Sequence, residues 1–273
     1  MAGAGAVPGS VLPMRILLTN DDGTAAPGLA AFARALQEIG EVGVVVPDTE
    51  RSWISKAITR FEPVSVVETD VDGVAVMACS GFPADCVQLG IHVLFGRPDI
   101  VVSGINIGYN HGSAYLQSSG TVGAALEAGI AGVPAIAFSA GSHTVPWQQW
   151  KEDVLKPQAL PMWERLAGVA AAMVADAVPA ARAGDVLNVG LPDEATPDTK
   201  RVVTRVAPSG YDRLFREESP GVYVHAYGGL IHDPDAIDGT DVGAAMEGII
   251  SISQIRGAGD DGLNQELMEA RVR

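Results

Sequence analysis

Met14–Gly23 reads MRILLTNDDG. Arg15–Thr19 is an apolar run of strand length without polar alternation, and it stops at a turn of Asn, Asp, Asp and Gly. A strand that is apolar on both faces belongs in a sheet covered on both sides, as parallel α/β sheets are. The same pattern recurs downstream. Strands are expected at Val42–Val46, Ile100–Ser103, Ala135–Ser139 and Val186–Val189, and helices at Pro27–Leu36, Ala84–Leu94, Thr121–Ala131 and Ala159–Ala177. Val64–Val67 and Val74–Met77 read as a strand pair around Asp72-Gly73. The fold class is therefore α/β, a mostly parallel sheet sandwiched by helices.

Organisation follows from the same reading. Residues 1–13 form a flexible N-terminal extension, 14–206 a catalytic core, and 207–238 a protruding antiparallel β-hairpin arm. Val202–Val206, Val222–Ala226 and Gly229–His232 are read as antiparallel strands, with Gly228-Gly229 as a turn. Residues 239–273 hold a return strand, Ile249–Ile252, and a C-terminal helix, Gly262–Val272.

Of the 273 residues, 47% are hydrophobic, enough for one large core. The formal net charge of -15 disfavours nucleic acids and anionic membranes as partners. An anionic substrate then needs a local positive source, either a metal ion or a helix N-terminus. The two cysteines, Cys79 and Cys86, make no metal-ligand pattern and fit a reducing cytoplasm, the expected location. No stretch reaches membrane-spanning length, and the first residues lack the basic and apolar regions of a signal peptide.

In an open parallel sheet, ligands bind at the carboxyl ends of the strands. Those positions carry Asn20, Asp21 and Asp22 after the first strand, and Arg51 and Ser52 after the second. Asn106 and Asn110 follow the strand at 100–103, and Ser118, Ser119, Gly120 and Thr121 precede the next helix. Adjacent Asp21 and Asp22 repel each other unless a positive charge lies beside them. Oxygen donors suit Mg²⁺, Mn²⁺ or Ca²⁺ better than Zn²⁺. Taken alone, NDDG is better read as a turn. With the Ser52 and Asn106 loops at the same edge, the metal reading leads. Ser119-Gly120-Thr121 opens a helix of small residues, where exposed N–H groups can take an anion. Alone it is an ordinary N-cap; beside a metal it is a phosphate site. The five histidines form no metal pattern, and only His111 lies near enough to the site to be a proton-transfer candidate.

These residues sit in a longer pattern. MRILLTNDDG (14–23), VVVPDTERS (44–52), PADCVQLG (83–90), PDIVVSGINIGYN (98–110), SGTVGAALEAGIAGVPAIAFS (119–139) and TDVGAAMEGIISIS (240–253) together resemble the SurE family of 5′/3′-nucleotidases over roughly residues 14–255. The resemblance implies a Rossmann-like domain whose β-hairpin extension swaps between protomers of a homodimer or homotetramer. It also implies divalent-metal-dependent hydrolysis of a small phosphorylated substrate, with one cation per subunit, Mg²⁺ or Mn²⁺ ahead of Ca²⁺ or Zn²⁺. By position, the metal ligands fall on Asp21, Asp22, Ser52 and Asn106. The phosphate-binding segment falls on Ser119, Gly120 and Thr121, with Asn20 and Asn110 lining the site. Asp21, Asn106 and Asn110 are the catalytic candidates. The chain departs from the family pattern at Trp53, usually Gly, at Phe82, usually Thr, and at Ser118, usually Tyr. These three are the candidates for leaving-group specificity.

The expected reaction is hydrolysis of a nucleoside monophosphate or related ester to alcohol and phosphate. The alternatives are a phosphatase for a biosynthetic or modified-nucleoside phosphate and a non-catalytic nucleotide-binding regulator. A haloacid-dehalogenase reading of NDDGT fails because the nucleophile position is Asn20, an amide. A zinc deacetylase would need nearby histidines, and the first 91 residues have none.

Overall fold

The structure, a computed structural model, describes residues 13–255. The N-terminal extension (all but its last residue) and the expected helix Gly262–Val272 lie outside the described residues. The chain begins with β1 (Arg15–Thr19), α1 (Leu29–Gln37), β2 (Glu41–Pro47), β3 (Val66–Val71) and β4 (Val74–Cys79). It continues through α2 (Pro83–Leu89), β5 (Ile100–Ile107), α3 (Gly112–Ser118), α4 (Gly120–Ile130), β6 (Ala135–Gly141), α5 (Trp147–Val154), α6 (Leu160–Ala177) and β7 (Val186–Pro192). Then come β8 (Arg201–Val203), β9 (Ser209–Tyr211), β10 (Phe215–Ser219), β11 (Val222–His225), β12 (Leu230–His232), α7 (Asp241–Met246) and β13 (Ile250–Ile255).

Nine strands form one sheet in the order β3-β4-β2-β1-β5-β6-β7-β13-β8. Strands β4, β2, β1, β5, β6 and β7 run parallel, β3 pairs antiparallel to β4, and β13 pairs antiparallel to β7. The continuous apolar runs are explained by burial on both faces. In β1, Ile16 and Leu18 face a core built with Phe32, Leu36, Trp163 and Leu166 of α1 and α6. Leu17 faces the other core, with Val87 of α2 and Val122 and Ala125 of α4. The turn at Asp72-Gly73 joins β3 to β4 with φ of 50° and 82°, the left-handed pair that suits a two-residue hairpin.

The chain goes out through β2, returns to the far side of β1, and continues through β5 and β6. The reversal between β1 and β5 is a topological switch point, and a crevice opens at the carboxyl ends of these strands. Strand β5 is longer than expected, because a bulge between Ser103 and Asn106 carries pairing with β6 through Ile107. Gly104, at φ 129°, is required there: a Cβ would come within 2.3 Å of the Phe138 carbonyl oxygen. The bulge re-aims Asn106 at the sheet edge.

Other expectations need correction. α1 starts at Leu29, with Pro27 in the preceding turn, and α2 gives way at Gly90 to a π-turn spanning Gly90–Leu94. Helices α3, α5 and α7 were not expected. β8 pairs parallel with β13 and not within the arm. In the arm, β9 pairs with β12 and β10 with β11, both antiparallel. The β10–β11 turn is at Pro220-Gly221, while Gly228-Gly229 falls between β11 and β12.

Candidate functional site

Asp21 follows β1 and is 3% exposed. Its Oδ1 accepts a hydrogen bond from the hydroxyl of Thr121, 100 residues away at the start of α4. Backbone N–H groups of Thr121 and Gly120 also act on the carboxylate. A carboxylate of the protein itself thus sits at this helix start. Ser119 caps α4 by accepting from the Val122 N–H at 3.1 Å. Burial pushes the Asp21 carboxyl up to about 6 against these bonds. Asp22 is raised well above the usual carboxylate range, first by burial and then by the charge of Asp21. Its Oδ2 accepts from the Ile107 N–H at 3.2 Å, which ties the acid pair to the bulged end of β5.

Asn106 donates through Nδ2 to the Gly108 carbonyl at 2.6 Å and to Asn110 Oδ1 at 3.4 Å. These bonds fix the amide's orientation and leave Oδ1 as an acceptor uncommitted among the described residues. Asn110 is buried; its N–H donates to Ser139 Oγ at 3.1 Å, and its carbonyl accepts from Asn188 Nδ2 at 2.9 Å. Asn110 Nδ2 has no partner among the described residues. The second loop reaches the first through the Arg51 N–H, which donates to the Asp21 carbonyl at 2.7 Å. Ser52, exposed at the rim, donates to Glu50 at 2.6 Å. Asn20 is committed to the loop: its Oδ1 accepts from the Gly23 N–H, and its Nδ2 donates to the Gly23 carbonyl, both at 3.0 Å.

Asp21, Asp22, Asn106, Asn110 and Ser119–Thr121 thus converge on the crevice between β1 and β5, with the Ser52 loop bonded to it. No group of three or more His, Cys, Asp or Glu placed to hold a metal occurs among the described residues. The available donors are two carboxylates, the free Oδ1 of Asn106 and the Ser52 hydroxyl. This all-oxygen set could hold a hard divalent cation, and the acid pair gives such an ion the opposite charge it requires.

The three specificity candidates separate. Trp53 has a left-handed backbone, φ 61°, which costs any residue but glycine about 1–2 kcal/mol. Its ring lies 5.4 Å from that of Tyr211. Ser118 Oγ lies 3.0 Å from the Tyr211 hydroxyl, so Trp53 and Ser118 meet through one arm residue. Phe82 lies apart, at the start of α2, with the Arg51 guanidinium 5.6 Å above its ring.

Two charged residues near the acid pair escaped sequence reasoning. The charge of Glu50 disfavours ionisation of Asp22 and that of Lys151 favours it. Lys151 stands on α5 over the Trp147 ring, 5.9 Å from its centroid. Exposed loop and helix charges give no sequence signal that separates them from a solvated surface.

His111 is a packing residue. Its ring stacks on Tyr109 at 4.9 Å and on Tyr115 at 6.0 Å. Burial, helped by His232, lowers its pKa from 6.5 to about 4. The fold favours the neutral ring, so this group's contribution to stability is complete above pH 6.5 and is lost as pH falls through about 4. His111→Phe keeps the stacked ring and should flatten the fall of Tm between those values. An unchanged Tm–pH difference between variant and wild type in differential scanning calorimetry would remove His111 as the cause.

A sequence model of the family described as "Survival protein SurE" matches residues 16–213. A protein of Methanopyrus kandleri named 5'-nucleotidase SurE is 40% identical over 249 residues, covering 89% of this chain and 91% of its own. One of Methanocella arvoryzae with the same name is 38% identical over 233 residues, covering 84% and 86%. The crystal structure of the SurE protein of Aquifex aeolicus superposes with a TM-score of 0.71 at 32% identity, covering 94% of this chain and 97% of that one. Sequence pattern, individual relatives and three-dimensional likeness agree over most of the length, and the chain belongs to the survival protein SurE family.

Proposed function

We propose that this protein is a divalent-metal-dependent 5'-nucleotidase that hydrolyses a nucleoside monophosphate to nucleoside and inorganic phosphate. The observation that carries the reading is the Asp21–Asp22 pair at the β1–β5 switch point, Asp21 buried and Asp22 half-buried, with Asp21 seated on the start of α4. The relatives named 5'-nucleotidase SurE support it.

Asp21, Asp22, Asn106 and Ser52 are assigned to the cation, Mg²⁺ or Mn²⁺, which when bound supplies Lewis-acid activation of a phosphoryl oxygen and of water. Asp21 orients the attacking water, its own position set by Thr121 and Gly120. Water adds to phosphorus as the ester P–O bond breaks, and the proton the water releases balances the one the leaving oxygen takes up. Asn110 Nδ2, buried and unpartnered, is a donor that charge on the phosphoryl oxygens can use. Asn20, Ser119, Gly120 and Thr121 shape the phosphate end, Gly120 and Thr121 through Asp21. A phosphate-release screen over nucleotides and sugar phosphates, with Mg²⁺, Mn²⁺ and EDTA, tests the reading. Release from nucleoside monophosphates that stops in EDTA supports it, and release undiminished in EDTA overturns the metal assignment.

The arm is assigned to a second copy of the chain in a homodimer or homotetramer. Phe215 and Tyr223 on its β10–β11 hairpin are 59% and 63% exposed, apolar surface that a partner would cover. Light scattering at micromolar concentration should give a multiple of the 28.2 kDa chain mass, reduced by Phe215→Glu with Tyr223→Glu. A monomeric wild type counts against this assignment. Cys79 and Cys86 are both free and buried, which supports work in a reducing cytoplasm. No helix among the described residues is long and apolar enough to cross a membrane.

A further inference from the structure

Trp53 is the centre of an aromatic cluster that spans the core and the arm. Its ring centroid lies 6.1 Å from Tyr115 of α3 and 5.4 Å from Tyr211 of β9. It lies 5.2 Å from His225 of β11 and 5.4 Å from Tyr227 just beyond it. Beside the cluster is an open pocket of about 370 Å³ that shares Tyr211 with it and is also lined by Ser113, Gln117, Ser118 and Ser209. The pocket adjoins the phosphate end of the site, because Ser118 lies two residues before Gly120 and its carbonyl accepts from the Ser55 N–H at 2.9 Å.

We propose that this cluster and its pocket bind the planar heteroaromatic ring of the leaving group, a nucleobase, between the core and the arm, with Trp53 as the stacking face and Tyr227 as a hydrogen-bond donor. The proposal rests on the nucleotidase reading for the class of ligand, but its geometry stands on its own.

Three features distinguish this arrangement from packing that only fixes the arm. Trp53 is 41% exposed despite its four aromatic neighbours. Its left-handed backbone is strained, and such strain persists where a surrounding site holds it. The Tyr227 hydroxyl is buried with no partner among the described residues, although buried hydroxyls are normally bonded. Burial pushes that phenol up to about 12, so at neutral pH it is a donor seeking an acceptor. Ring nitrogens and carbonyl oxygens of a base are such acceptors. Ser113, Ser118 and Ser209 line the pocket on the side toward which a sugar would join base to phosphate.

The test is titration of EDTA-treated protein with adenosine, guanosine, cytidine, uridine and ribose by calorimetry. The probes carry no phosphate and the protein no metal, so the result is independent of turnover. Nucleosides should bind and ribose should not. Trp53→Gly, which also relieves the backbone, should weaken nucleoside binding about tenfold or more. Tyr227→Phe keeps the ring and should weaken it several-fold with the oligomeric state unchanged. In turnover, the ratio of kcat/KM for AMP to that for ribose 5-phosphate should fall in both variants. Wild-type protein that binds no nucleoside, or Trp53→Gly protein that binds nucleosides as tightly as wild type, overturns the proposal. So does an unchanged AMP to ribose 5-phosphate ratio. If no ester is hydrolysed with any metal, the nucleotidase reading falls while the titration still decides the base site.

Discussion

Asp21→Asn and Asp22→Asn should each lower kcat/KM for phosphate release by at least about a hundredfold, the order seen when one charge-stabilising group is removed from an active site. The same variants should leave the metal-free protein as stable as wild type or more so. The two effects have one origin. Both carboxyls are pushed upward by burial, and Asp22 further by its neighbour, so the ionised pair is disfavoured by the empty fold. A neutral amide removes the repulsion, and its oxygen can still accept from Thr121 or Ile107. What it cannot do is supply charge to a cation. Thermal melts in EDTA and phosphate-release kinetics in Mg²⁺ and Mn²⁺ check the two halves separately. Full activity in either variant would sink the acid-pair assignment; loss of activity together with unfolding would make the pair structural.

The second large effect is expected from a single methyl group. A Cβ on Gly120 would lie 2.8 Å from Asp21 Cβ, 2.9 Å from Asp21 Oδ2 and 3.1 Å from Ile54 Cδ1. Something must shift, and the shift falls on the Asp21 carboxylate that Thr121 and Gly120 hold in place. Gly120→Ala should therefore cost about a hundredfold in kcat, the scale of a misplacement of roughly 1 Å in a positioned group. Helix propensity favours alanine over glycine by as much as ~1 kcal/mol, so α4 itself should not weaken. Gly168→Ala is the control: it lies on the exposed side of α6, and nothing stands within 4 Å of its added Cβ. That variant should keep full activity. If Gly120→Ala turns over like wild type, Asp21 does not depend on the start of α4 for its position.

The central sheet was legible because its strands are buried on both faces. RILLT, VVVP and IVVS announce themselves as apolar runs of strand length. The Asp21–Asp22 edge was legible for a related reason: parallel strands send all their carboxyl ends one way, so polar residues in those loops must meet. The contact between Asp21 and α4 was not, because nothing local connects residues 100 positions apart. Helix α3, GSAYLQS, is seven residues long and starts at glycine, too short for a 3.6-residue period to show. In α5, WQQWKEDV, the two buried side chains Trp150 and Val154 are spaced by four, but one turn of period is no more than chance. Strands β9 and β12 have three residues each and exist by pairing with each other, a partner choice that composition does not encode. Trp53 stood out as a departure from a family pattern, and the left-handed backbone supplies the reason glycine suits that position.

The two ends of the site rest on unequal foundations. The phosphate end is anchored in β1, the β5 bulge and the start of α4, each committed to the main cores, where substitution is tightly constrained. The Trp53 cluster draws Tyr211, His225 and Tyr227 from an arm of short strands, in which β10 is exposed along its whole length. Arm residues can change without disturbing the acid pair, so descent within such a scaffold can exchange one leaving group for another while the hydrolytic chemistry stays fixed.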